Sequence, residues 1–195
     1  MSLLPEDPKK RGRLILAAIG LVFALPIAAA WIAYLLHWAP GGTSNYGDLI
    51  KPQRVPDVPL AALDGRPFRL SQLRGKWVMI SFDSPACDEA CVRKLYYMRQ
   101  IRVAQGQDMD RVERVWILTG AGAPSAALLA TYPGMHVARA SGAGFERAFP
   151  AADGVARHVY VIDPLGNVML RFPRDPNPSR MLKDLQRLLK YSSSG

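Results

Sequence analysis

Trp77-Val78-Met79-Ile80-Ser81-Phe82-Asp83-Ser84-Pro85-Ala86-Cys87-Asp88-Glu89-Ala90-Cys91 is the stretch from which the fold can be read. Its first six residues are almost continuously apolar, the pattern of a strand buried on both faces. Its end holds both cysteines of the chain. Behind them Val92, Leu95, Met98 and Arg102 mark a helical repeat. Two thiols separated by three residues at a strand-to-helix junction have two good uses. They exchange electrons as a dithiol/disulfide pair, or they hold a soft metal ion. A structural staple is a poor third use, because a bridge between residues four apart closes a small loop and removes little chain entropy.

Working outward, the same alternation continues. Residues 59–63 and 67–70, joined by Asp64-Gly65, read as a small hairpin. Residues 71–74 form a helical turn ended by Gly75. Residues 114–119 are a second buried strand, 124–132 a helix with an early proline, 136–139 a short strand and 143–149 a short helix. Residues 158–162 and 168–172 flank the turn Asp163-Pro164-Leu165-Gly166-Asn167. Ser179 is placed to cap a last helix carrying Leu182, Leu185 and Leu189. Strand and helix alternation ending in a hairpin and a helix predicts an α/β sandwich around a mixed sheet.

The N-terminal region is of another kind. Residues 14–36 contain no charge and as a helix would measure about 34 Å, enough to cross a ~30 Å hydrocarbon core. Trp31, Tyr34 and Trp38 cluster at the far end, as an aromatic belt does. The uncharged run is too long for a cleaved secretory leader. Lys9, Lys10, Arg11 and Arg13 precede it, so the positive-inside rule keeps the N-terminus cytoplasmic and exports the rest of the chain. The expected organisation is a basic leader (1–13), a transmembrane helix (14–36), a Pro/Gly-rich linker (37–57), an exported domain (58–190) and a tail (191–195).

The chain has 25 Lys and Arg against 16 Asp and Glu, a net charge of +9. Four of those cations and two of those anions precede the span, so the exported part remains basic. That charge solubilises the surface and suits an acidic partner or an anionic membrane. Nucleic acid is not an expected partner beyond a membrane, and no aromatic–basic ladder points to it. A compartment beyond the membrane is also one where disulfides persist.

The order of elements resembles the thioredoxin-like fold, and particular stretches are similar to the Sco/SenC family of membrane-anchored copper chaperones and cytochrome c oxidase assembly factors. The similarity spans roughly 58–190. It rests on residues 60–70 with Asp64-Gly65, on Leu73-Arg74-Gly75-Lys76-Trp77-Val78, on the C-x-x-x-C loop at Cys87 and Cys91, and on Tyr160-Val161-Ile162-Asp163-Pro164-Leu165-Gly166. Three residues between the cysteines is the Sco spacing, where thioredoxins have two.

The resemblance implies an inner-membrane, single-pass protein whose C-terminal domain lies in the periplasm. Cys87 and Cys91 would be a redox pair and copper ligands, and the partner a cytochrome c oxidase subunit or another copper or thiol protein. The third copper ligand of the family is a histidine about five residues before the tyrosine of the late strand. Val155 holds that position here, and His158 is the nearest imidazole, so His158 is the candidate third ligand. The family's prolines in and after the motif are absent. Arg157 stands where thioredoxin-like oxidoreductases often place a cis-proline facing the cysteines.

Two soft thiolates select Cu(I) over Mg²⁺, Ca²⁺ or Mn²⁺, whereas a structural zinc would want four ligands. The alternatives are a membrane-tethered thiol-disulfide oxidoreductase with no stable metal, and a non-catalytic thioredoxin-like assembly scaffold. His37 reads as an interfacial residue, His136 as a surface or packing residue, and Met79 and Met98 as core.

Overall fold

The computed structural model describes residues 8–36, 45–140 and 144–192. His37, Trp38 and the start of the expected linker lie outside the described residues. So do Ala143, the first seven residues of the leader and the last three of the tail. The chain divides into two compact units, residues 1–44 and 45–195. Helix α1, Pro8–Leu35, is the main described element of the first unit. It is long and apolar enough to cross a membrane, with none of its residues buried against protein. Pro26 lies inside it, and a proline there is one that membrane helices tolerate.

The second unit is one mixed sheet with helices. Its strands in chain order are β1 (Asp48–Arg54), β2 (Leu60–Ala62), β3 (Pro67–Phe68), β4 (Trp77–Asp83), β5 (Val112–Leu118), β6 (His136–Ala140), β7 (Val159–Ile162) and β8 (Asn167–Arg171). They lie in the order β1-β8-β7-β4-β5-β6-β2-β3. The pairs β4/β5 and β5/β6 are parallel; all other neighbours are antiparallel. The helices are α2 (Glu89–Val103), α3 (Ala126–Thr131) and α4 (Pro178–Tyr191). The hairpin at 60–68 and the β7–β8 hairpin form where the turn residues predict them.

Strand β4 is the axis. All seven of its residues are buried, as the apolar run requires. Side chains alternate faces along a strand. Trp77 and Met79 pack with Leu95, Met98 and Ile101 of α2 and with Met181, Leu185 and Leu189 of α4. Val78, Ile80 and Phe82 pack on the opposite face with Leu60, Phe68, Phe145, Phe149 and Tyr160. Phe82 lies edge-on to both Phe149 and Tyr160, with ring centroids 4.8 and 6.2 Å away.

Three local expectations change. Residues 48–54, within the expected linker, form β1, which covers the outer edge of β8. The charged and proline-bearing sequence Asp48-Leu49-Ile50-Lys51-Pro52-Gln53-Arg54 hid it, since an exposed edge strand needs no apolar alternation. The cap of α4 is Asn177, not Ser179; the Asn177 side chain accepts from Arg180 N, and Pro178 takes the first helical position. The expected helix at 143–149 is only a 3-10 turn, Glu146–Ala148.

The start of the second unit is tied down by a carboxylate. Asp184 of α4 is buried and accepts from the backbone N–H groups of Tyr46 and Gly47, both at 2.8 Å. A Cβ on Gly47 would come to 3.0 Å from the Leu170 side chain and 3.1 Å from the Arg171 carbonyl oxygen, so a larger residue here would press on Leu170. Asp184→Ala would leave the buried Gly47 N–H and the part-buried Tyr46 N–H without their acceptor. It is expected to lower unfolding free energy by about 2–3 kcal/mol in urea titrations of the detergent-solubilised chain.

Candidate functional site

The cysteine pair occupies the mouth of α2. After β4 ends at Asp83, the chain makes a turn closed by Cys87 N–H donating to Ser84 O at 2.9 Å. Cys87 then adopts a left-handed backbone conformation, φ 42°, which an L-residue enters only at a cost of about 1–2 kcal/mol. Asp88 caps the helix, its carboxylate accepting from Cys91 N at 2.9 Å. Cys91 is therefore in the first turn and Cys87 just outside it. Their Cα atoms are 5.1 Å apart and their sulfurs are bridged. The sequence signal for this arrangement was the C-x-x-x-C spacing at a strand-to-helix junction.

The two sulfurs differ in access. Cys87 keeps 8% of its surface and Cys91 keeps 1%; both join the core under α2. Both residues are thus buried in the folded unit, and Cys87 is the less enclosed of the two.

Below the pair lies a feature that sequence reasoning missed. Asp83 and Lys94 form a buried ion pair, Lys94 Nζ lying 2.8 Å from each carboxylate oxygen. The ammonium also donates to the carbonyl of Ala156. Ala156 belongs to the 3-10 turn Val155–Arg157 that precedes β7. One lysine thus ties strand, helix and loop together around the cysteines. The available signal was a lysine among the inward positions of α2, Cys91, Lys94, Leu95 and Met98. Burial pushes the Asp83 carboxyl up to about 6, against the opposing pull of Lys94.

His158 is buried immediately before β7, at the end of the 3-10 turn, but its ring is already engaged. Nδ1 lies 2.8 Å from the carbonyl oxygen of Phe172, and Nε2 lies 2.7 Å from Asp153 Oδ1. Its hydrogen bond holds the Asp153 carboxyl below the usual range. The imidazole can ligate a metal only by giving up one of these bonds. No group of three or more His, Cys, Asp or Glu side chains is gathered for a metal among the described residues. Arg157, at the offset of the oxidoreductases' cis-proline, is exposed, and no described peptide bond is cis. His136 stacks on Phe68 with centroids 5.2 Å apart, and its Nε2 lies 3.5 Å from Glu113. Met79 and Met98 are fully buried in the core beside α2.

The pair at Asp83 makes a pH-dependent contribution. Because the folded-state value lies above the ordinary one, the native state holds a proton that the unfolded chain has released. The stabilisation from this group is complete below about pH 4 and is lost as pH rises through about 6. In Asp83→Asn, the fall in urea midpoint between those values is expected to flatten. In Lys94→Met, carboxyl NMR should show the Asp83 titration displaced upward; an unmoved titration would mean that the two groups do not interact.

Comparison with known proteins agrees with this architecture. The family model described as transmembrane-like, thioredoxin-like, C-terminal domain matches residues 77–192. No curated protein matches the chain. Among solved structures, copper-bound yeast Sco1 superposes with a TM-score of 0.61 at 16% identity, covering 73% of this chain and 96% of that one. Apo Sco1 from Thermus thermophilus gives 0.58 at 20% identity, covering 76% and 99%. A putative thiol:disulfide interchange protein DsbE from Chlorobium tepidum gives 0.55 at 22% identity, covering 73% and 98%. At these identities the structures establish the fold, which is the thioredoxin-like fold expected from the sequence. The chain belongs to the transmembrane-like, thioredoxin-like C-terminal domain family, and its sheet and helices are built as in the Sco1/SenC structures.

Proposed function

We propose that this protein is a membrane-anchored dithiol/disulfide factor that reduces cysteines of a copper-site protein, a terminal cytochrome c oxidase subunit being the intended target. The observation that carries this reading is the bridged Cys87–Cys91 pair at the mouth of α2, with Cys87 less enclosed than Cys91. Helix α1 supplies the tether, with the leader in the cytoplasm and the second unit on the periplasmic side.

In the reducing direction, the Cys87 thiolate attacks one sulfur of a partner disulfide. A mixed disulfide forms and the partner's other sulfur leaves as a thiolate. The Cys91 thiolate then attacks the Cys87 sulfur, which closes the Cys87–Cys91 bridge and frees the second partner sulfur. Two electrons pass to the partner, and the two protons of the starting thiols end on its sulfurs. An upstream dithiol must restore the reduced pair. The helix dipole at the start of α2 favours a thiolate at Cys87, while the carboxylates of Asp88 and Glu89 oppose it. Cys87, just outside the helix and the less enclosed of the two, makes the first attack, and Cys91 resolves it.

Copper belongs to this scheme as cargo. Reduced, the same sulfurs are two soft donors suited to Cu(I). With both nitrogens of His158 occupied, the two-thiolate set is the one the geometry supports best. Binding copper and holding the bridge are mutually exclusive, so the redox state of the pair gates loading.

Both activities are testable on the reduced full chain in detergent. Cys91→Ser is expected to accumulate a mixed disulfide with a bridged target peptide, and Cys87→Ser to form none. Competition with a Cu(I) chelator should show one ion per reduced chain, lost in either serine variant and retained in His158→Gln. A chain that neither exchanges disulfides nor takes up Cu(I) would leave only the scaffold reading.

A further inference from the structure

Beside the cysteine loop is a cleft of about 370 Å³ that the exchange chemistry does not itself require. Its first wall is one face of α2, with Ala90, Arg93, Lys94 and Tyr97. Its second is the turn at Ala156 and Arg157, and its third is the segment Arg174-Asp175-Pro176 that leads into α4. Asp83 and Asp88 complete the lining. Ala90 lies between the two cysteines in sequence, and Asp88 directly follows Cys87. A chain segment in this cleft would therefore lie within a few residues of a sulfur engaged at Cys87.

The charges of the lining are not equally available. Lys94 and Asp83 are committed to each other. Asp88 caps α2 through Cys91 N. Arg93 leans toward Glu89 at 3.5 Å. The guanidinium groups of Arg157 and Arg174, both exposed residues, make no hydrogen bond or ion pair among the described residues. The charge of Arg157 is felt at Asp153, but that carboxylate is held by His158. Asp175 is the only uncommitted anion of the lining among the described residues. Counted over the lining, four cations (Arg93, Lys94, Arg157 and Arg174) face three carboxylates (Asp83, Asp88 and Asp175), an excess of one positive charge. Guanidinium is also the side-chain group best shaped to take a carboxylate through paired N–H donors.

We propose that this cleft recognises an acidic side chain of the partner polypeptide, an Asp or Glu placed a few residues from the cysteine that meets Cys87. This rests on the thiol-exchange reading for its place in the reaction, but the docking itself can be read without any exchange. The cleft selects the partner by charge, and Arg157 and Arg174 are its positioning residues.

The binding test uses the oxidised full chain in detergent and three rhodamine-labelled peptides of equal length. Each has a serine where the target cysteine would be, flanked by glutamates, glutamines or lysines. Fluorescence anisotropy is expected to show the glutamate peptide bound at least about tenfold more tightly than the glutamine peptide, with the margin shrinking as salt screens the contact. The double variant Arg157→Gln/Arg174→Gln should abolish that margin. Its unfolding midpoint and its rate of reducing the uncharged 2-hydroxyethyl disulfide should stay unchanged, since neither arginine touches the core or the sulfurs. Equal binding of the three peptides, or a margin that survives the double variant, would overturn the proposal. If the glutamate peptide binds but no disulfide is reduced, the docking stands and the exchange reading fails.

Discussion

The Lys94 ammonium is gripped from two sides, by the Asp83 carboxylate on β4 and by the Ala156 carbonyl in the turn before β7. Neither grip is replaceable by an apolar contact of the same shape without losing the link between the three elements. A charge enclosed in this way is costly unless it is paired, and removing one partner of such a pair typically costs about 3–5 kcal/mol. The energetic return is therefore less in net stability than in placement. Strand β4 delivers the cysteine loop, α2 presents Cys91, and the turn at 155–157 forms the far wall of the cleft. All three are indexed to one nitrogen atom.

How legible each element is in the sequence depends on how strongly it advertises itself. Strand β4 is apolar on both faces and could hardly be anything else. The cysteine spacing needs no neighbours to be noticed, and the turn Asp163-Pro164-Leu165-Gly166-Asn167 announces its hairpin through the residues it demands. Strand β1 carries no such signal, because it borrows its order from β8 and exposes most of its side chains. The Asp83–Lys94 pair is illegible for a related reason. Two charged residues eleven positions apart look like solvated surface until the helix is laid across the strand. Asn177 and Ser179 compete as caps because both residue types cap well, and only Pro178 tells which comes first.

The histidine shows a different limit. Motif offsets make His158 a candidate ligand and the first residue of a strand, and the fold sets it one residue before β7, closing the 3-10 turn. What no offset carries is the direction of two hydrogen bonds. The ring spends one nitrogen on Phe172 and the other on Asp153, and so joins the end of β8 to the loop before the 3-10 turn. A fold that hosts both copper-bound proteins and thiol-exchange proteins leaves that choice to a few side chains of this kind.

Strand β1 has a mechanical meaning as well. The folded unit starts at a backbone clasp on Asp184 and passes at once into a ladder with β8, with Arg171 bound to Asp48 at 3.0 Å at its first rung. Tension arriving along the chain from the anchor would be spread over that ladder and into the centre of the sheet. The disulfide loop leaves from β4, two strands further in than β8, so the β1–β8 and β8–β7 ladders take up the pull before it reaches the loop.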